Sequence, residues 1–352
     1  MARWVARRRR RGPAPGPGDL AVLALLAAGL LALWVVLRLR SPEPVVTLWD
    51  AQAGQVVELG LEDYVRGVVA AEVPADFHLE ALKAQAVAAR TYAFRRVTRD
   101  QRLADQPAAH LSSDFSRHQA WVSQEAFLAR WGPWEGMRRW ALVTLAVEAT
   151  RGLVLTYQGE PIEALYHSTS GGHTEDAHRY FAGGQPYLVG VPDPWGDHSP
   201  VHQTVVRLPA ATVLARLGVE PGGAGGPVSP GSRALGERPE QGAGAEPAAP
   251  SGAAGDAAPV VRVVSRTPAG RAAVVEVAGQ TFSGRAVREA LGLRSSWFEV
   301  TAEGDDIVFH VRGSGHGVGM SQYGADGMAR AGYGYAEILA YYYPGTALER
   351  RY

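Results

Sequence analysis

The stretch Leu61 to Phe94, LEDYVRGVVAAEVPADFHLEALKAQAVAARTYAF, admits few folds. Tyr64, Val65, Val68, Val69 and Ala71 make a short apolar helix. Glu62 and Asp63 suit its start, where carboxylates meet the positive end of the helix dipole. Pro74 disfavours helical backbone at Val73, which predicts a helix end near Glu72. Asp76 is the expected N-cap of a second helix, in which Leu79, Leu82, Ala86 and Ala93 repeat at helical spacing. Ala81, Ala84, Ala86, Ala88 and Ala89 permit close backbone approach and predict that this helix is buried. Lys83 and Arg90 project from nearly the same face, and buried cations need a carboxylate partner or an anionic ligand. Two readings stay open on these residues. Either Glu72 is a surface acid with Lys83 and Arg90 solvated, or it is an acid held at a helix break, suited to one-carboxylate acid/base catalysis.

Charge is unevenly distributed along the 352 residues, although the net charge is +0. Arg3 and Arg7 to Arg11 precede the apolar run Leu20 to Leu37, which has the length of a membrane span. The arginines predict a cytoplasmic N-terminus for a single-pass anchor in the cell membrane, with everything from Ser41 on outside. A cleaved signal peptide is the rival reading, but RLRSPEP after the run offers no small-x-small cleavage site. From Ser41 on, 27 basic residues face 34 acidic ones, a balance that argues against nucleic acid as a partner. With no cysteine there is neither a disulfide nor a zinc–thiolate site.

Strands are expected at VVTLWD and QVVEL, then the two helices, a helix from Ser123 to Trp131 in a Trp-rich region, and another from Leu142 to Thr150. Arg151 to Glu163 reads as a hairpin about a Gly-Glu turn. Residues 220–259 are dominated by Gly, Pro and Ala and hold no aromatic residue, a composition expected to stay disordered. Strands at VVRVVSR, AAVVEVAGQTFSG, FEV and IVFHV flank a helix at Arg285 to Leu291, and helices follow at Ser321 to Ala331 and Ala336 to Tyr342. Strands and helices mix without βαβ regularity, so the expected class is α+β with antiparallel strands. The predicted organisation is a basic cytoplasmic segment 1–19, an anchor 20–37, and one extracytoplasmic domain 45–352 interrupted by 220–259.

Two further segments could carry chemistry. YHSTSGGHTED, Tyr166 to Asp176, sets His167, Ser168 and Ser170 before a tight glycine turn. GSGHGVGMSQYGA, Gly313 to Ala325, sets His316 among glycines ahead of Gln322 and Tyr323. Each could equally be a structural turn. His167, His173 and His178 do not stack on one helix face, so no metal site is expected. No cofactor is expected either: GxxxxGK[ST], HExxH and GxSxG are all absent.

Four blocks, DYVRGVVAAEVPADFHLEALKAQAVAARTYA, EATRGLVLTYQGEPIEALYHSTSGGHTEDA, SGRAVREALGLRSSWFEV and GSGHGVGMSQYGADGMARAGYGYAEILAYYYPGTAL, together resemble the SpoIID/LytB family. The resemblance runs from about Val45 to the C-terminus. It implies a peptidoglycan lytic transglycosylase that cleaves the MurNAc–GlcNAc bond, preferably in peptide-stripped strands, to 1,6-anhydro-MurNAc ends. It implies Glu72 as the catalytic acid and substrate contacts from Lys83, Arg90, Tyr92, His167, Ser168, Ser170, His316, Gln322 and Tyr323. A cell-wall amidase is the implied partner. In the family's D-x-x-x-C-Q-x-Y segment this chain has Asp114-Phe-Ser-Arg-His118-Gln119-Ala-Trp121, so His118 replaces a cysteine able to bind zinc. The residues leave a non-catalytic wall-binding or amidase-enhancing module, and hydrolysis by water, as alternatives. Burial at the helix break is expected to keep Glu72 partly protonated.

Overall fold

The computed structural model describes residues 42–181, 183–220 and 260–352. The segments 1–19 and 20–37, and 221–259 of the Gly/Pro/Ala-rich stretch, lie outside them. Among the described residues no helix is long and apolar enough to cross a membrane.

Strands β1 (Val45–Asp50) and β2 (Gln55–Gly60) form an antiparallel hairpin with Val45 opposite Gly60. Helix α1 (Leu61–Glu72) follows at once and stops where Pro74 demands, with Val73 extended at φ −129° and ψ 150°. Helix α2 (Leu79–Thr98) starts two residues later than the expected Asp76 cap. His78 is the N-cap: its Nδ1 accepts from the Glu80 N–H at 3.3 Å, and its own N–H donates to Asp326 Oδ1 at 2.7 Å. That partner lies 248 residues away, beyond any local signal. The alanine-rich α2 is the axis of the larger core, with Ala84, Ala86, Ala88, Ala89 and Ala93 fully buried.

Strand β3 (Leu111–Ser112) adds parallel to β1. Helices α3 (Gln124–Trp131) and α4 (Pro133–Ala149) make a hairpin. The latter begins well before the expected Leu142, because Pro133 sits at its first turn, where a missing N–H is harmless. In the next hairpin, β4 (Leu153–Tyr157) and β5 (Glu160–Pro161), Tyr157 pairs with Glu160, so the turn is Gln158-Gly159 rather than Gly-Glu.

Strand β6 (Tyr166–His167) and the one-turn helix α5 (Ala177–Tyr180) lead to a smaller core. It holds β7 (Gln203–Pro209), α6 (Ala210–Leu217), β8 (Val261–Arg266), β9 (Ala272–Val277), β10 (Gln280–Ser283), α7 (Gly284–Leu291), β11 (Phe298–Glu303) and β12 (Asp306–Arg312). Two antiparallel sheets result, ordered β10-β9-β8 and β11-β12-β7. Strand β7 and helix α6 escaped the sequence reading. The chain then returns to the larger core through β13 (Met320–Ser321), α8 (Gln322–Arg330), α9 (Tyr335–Tyr342) and β14 (Ala347–Arg350), the last pairing with β4. β13 runs parallel to β6, with Met320 opposite Tyr166 and Ser321 opposite His167. The class is α+β with mixed helices and antiparallel sheets.

Candidate active site

A cleft of about 920 Å³ opens beside the end of α1. Because α1 stops at Glu72, its last side chain sits at the cleft instead of along a helix flank. Glu72 Oε1 accepts from the Ala120 N–H at 2.7 Å, and Oε2 accepts from Gln322 Nε2 at 3.4 Å. Burial raises its pKa above the ordinary 4.5, and these two hydrogen bonds oppose the shift without cancelling it. Beside it a short polar chain is fixed: Tyr64 O–H donates to Gln119 Oε1 at 3.0 Å, and Gln119 Nε2 donates to the Tyr166 hydroxyl oxygen at 2.9 Å. The Tyr166 proton is thereby free for another acceptor. Burial, helped by the Glu72 charge, raises both phenols well above their ordinary range, so both stay neutral donors.

The opposite wall is made by β6 and the glycine loop before β13. Gly315 (φ +109°) packs on His167, where an added Cβ would lie 2.7 Å from the His167 Cβ. At Gly317 (φ +85°) a Cβ would meet the Arg271 guanidinium within 2.3 Å. Glycine alone lets the loop lie this close. His167 Nδ1–H donates to the Val318 carbonyl at 3.2 Å, which leaves Nε2 an acceptor, buried and without a partner among the described residues. His316 Nδ1 accepts from the Val318 N–H at 3.0 Å, with its ring 5.6 Å from that of His167. Burial and nearby arginines push His316 down to about 3. His167 is likewise held well below its usual range, by burial first and then by His316 and Arg271. His118, also lining the cleft, is pushed down to about 4 by burial and by Arg96 and Arg117. All three are neutral at physiological pH.

The stage II sporulation protein (SpoIID) pattern matches residues 50–157. Stage II sporulation protein D of Bacillus subtilis (strain 168) is 38% identical over 297 residues, covering 84% of this chain and 76% of that protein. That of Bacillus amyloliquefaciens is 35% identical over 302 residues, covering 86% and 77%. The chain belongs to the SpoIID family. It is also similar to the amidase enhancer of Bacillus subtilis (strain 168), 29% identical over 306 residues that cover 81% of this chain and 40% of the enhancer.

Of the residues that the SpoIID resemblance singled out, Glu72, Tyr92, His167, Ser168, His316, Gln322 and Tyr323 line this one cleft. Three do not. Arg90 is 0% exposed and binds Glu62 through Nη2 at 2.6 Å and Nε at 3.0 Å, with its remaining N–H groups on Thr150 Oγ1 and the Val147 and Leu153 carbonyls. An arginine so enclosed has no donor left for a substrate, and the expectation that it contacts one is corrected. Lys83 pairs with Glu80 at 2.6 Å on the flank of α2, and Glu80 Oε2 accepts from the Tyr335 N–H, tying α2 to α9. Ser170 is buried and caps its own turn by accepting from the Gly172 N–H at 3.0 Å. Sequence reasoning missed Gln119, Tyr166, Arg288 and Glu163 as wall residues. Glu163 is, with Glu72, one of two carboxylates lining the cleft among the described residues, whereas the sequence offered no partner for Glu72. Its place at the end of a very short hairpin carried no signal.

Proposed function

We propose that this SpoIID-family chain is a peptidoglycan lytic transglycosylase with Glu72 as its single acid/base. The observation that carries the reading is the state of Glu72: half-buried at the cleft, raised in pKa, and unpaired with either expected cation. Protonated, its carboxyl gives its proton to the glycosidic oxygen as the bond from that oxygen to C1 of N-acetylmuramic acid breaks. The resulting carboxylate then takes the proton of the muramic O6 hydroxyl as O6 bonds to C1. The products are a free hydroxyl on N-acetylglucosamine and a 1,6-anhydro ring, with no water consumed. Tyr166 O–H and the His167 Nε2 acceptor supply a donor and an acceptor for sugar hydroxyls nearby. The 20–37 segment would anchor the chain in the cell membrane, with the cleft outside and an amidase that strips stem peptides as partner.

Mass spectrometry of purified glycan strands after incubation decides the chemistry. Anhydro-ended products from the native chain, and none from Glu72→Gln, are expected. Products heavier by one water would instead favour hydrolysis with Glu163 as the second carboxylate, since paired acids about 5–9 Å apart are what hydrolysis uses. No products from either form, with strands still bound, would favour the amidase-enhancing reading that similarity to the amidase enhancer keeps open.

A further inference from the structure

Glu72 borders a second hollow, of about 280 Å³, on the other side of the helix break. It is walled by the last turn of α1 with Pro74 and Ala75, and by Phe127, Arg130, Trp131 and Arg139 of the α3–α4 hairpin. This is the Trp-rich region that the proposed chemistry leaves without a role. Trp131 is 40% exposed, with the Arg139 guanidinium 4.2 Å and that of Arg130 5.6 Å from its ring. Arg139 Nε also pairs with Glu135 at 2.6 Å, while Arg130 has no hydrogen-bond or ion-pair partner among the described residues. The Arg139 guanidinium covers part of the indole face, and the exposed remainder of Trp131 next to two cations suits a ring that carries a negative charge: the indole packs against the ring, the cations hold the charge. Neutral sugar would need only the first.

We propose that this hollow is a saccharide subsite continuous with the main cleft, and that it takes a carboxylate-bearing sugar, with Trp131 as platform and Arg130 and Arg139 as counter-charges. The proposal rests on the reading of the main cleft as a glycan site. A strand lying across Glu72 would then fill both hollows, one on each side of the bond to be broken. In peptidoglycan the carboxylate has two sources. One is the lactyl group of muramic acid, free once the stem peptide is removed; the other is the acidic residues of the peptide itself.

The test measures binding of three probes to the full chain in detergent micelles, in a Glu72→Gln background so that strands are not consumed. The probes are neutral chitohexaose, peptide-free glycan strands, and strands with intact stem peptides. Trp131→Ala is expected to weaken all three, and Arg130→Gln with Arg139→Gln to weaken peptide-free strands about tenfold or more while leaving chitohexaose unchanged. Arg130→Gln alone, at an exposed side chain whose one fold contact among the described residues is its 5.6 Å approach to the Trp131 ring, should show the same selectivity in smaller measure. A loss confined to peptide-bearing strands would uphold the subsite and assign the carboxylate to the stem peptide. Unchanged binding, or an equal loss for neutral and charged glycans, would overturn it. If the native chain cleaves strands yet the arginine variants bind normally, this inference fails alone. If strands bind with arginine-dependent selectivity but are never cleaved, the transglycosylase reading fails alone.

Discussion

Glu62 and Glu72 lie at opposite ends of the same 12-residue helix and are driven in opposite directions. Both are desolvated, which alone would raise both pKa values. At Glu62 the Arg90 guanidinium, the Tyr352 hydroxyl at 2.7 Å and the Gly152 N–H at 3.0 Å outweigh burial, and the carboxyl is held below 4.5. At Glu72 there is one short backbone hydrogen bond, one long amide contact and no cation, and burial wins. The difference teaches that Arg90 is committed to architecture and kept away from the acid. Had Arg90 faced Glu72, the latter would be a permanently ionised carboxylate and a poor proton donor.

The contrast can be broken at its chemical end first. Glu72→Gln should lower strand cleavage by about 100- to 10,000-fold, with the thermal midpoint unchanged or raised. Unchanged cleavage would remove Glu72 from the chemistry. The structural end should respond next. Arg90→Met leaves Glu62 a buried charge without its partner and should cost about 3–5 kcal/mol of stability, read by denaturant unfolding. A small effect there would mean that the pair is open to water. In neither variant should the two readouts trade places.

A third way compares stability with pH in Glu62→Gln and Glu72→Gln. Glu62, lowered in the fold, contributes stability above 4.5 that is lost as pH falls through its folded value. Glu72, raised in the fold, contributes below 4.5 and loses that contribution as pH rises through its folded value. Thermal midpoints from pH 3 to 8 should therefore lose their acid-side drop in Glu62→Gln and their decline above pH 4.5 in Glu72→Gln. The smallest effect belongs to Gln322→Ala. It removes a 3.4 Å contact that favours the carboxylate, so the alkaline limb of the pH–activity profile should move slightly upward. His118 and His316, held at about 4 and 3, should add no inflection near 6.5.

The acid end of this contrast was legible in the sequence because its cause is local. Pro74 ends the helix, and a helix end throws its last side chain aside. The glycine loop was legible for a similar reason, since side chains are excluded where Gly315 and Gly317 press on His167 and Arg271. The structural end was not legible. Arg90 and Lys83 share a helical periodicity with nothing to distinguish them, and only the packing of α1 and α4 against α2 buries one and leaves the other at the flank. The same holds for His78, made a cap by a carboxylate on α8, and for Glu163, brought to the cleft by a two-residue strand. Periodicity reports which face is apolar; it carries nothing about what a distant segment will set against that face.

The pairing of β6 with β13 has a consequence in time as well as space. A chain emerging N-terminus first presents Glu72 early, but the residue that binds its second oxygen lies 250 positions later. Until Met320 and Ser321 dock beside Tyr166 and His167, the acid has no opposite wall and no cleft to work in. Any chemistry at this site can begin only after Gln322 has arrived, so the order of synthesis itself acts as a safety catch.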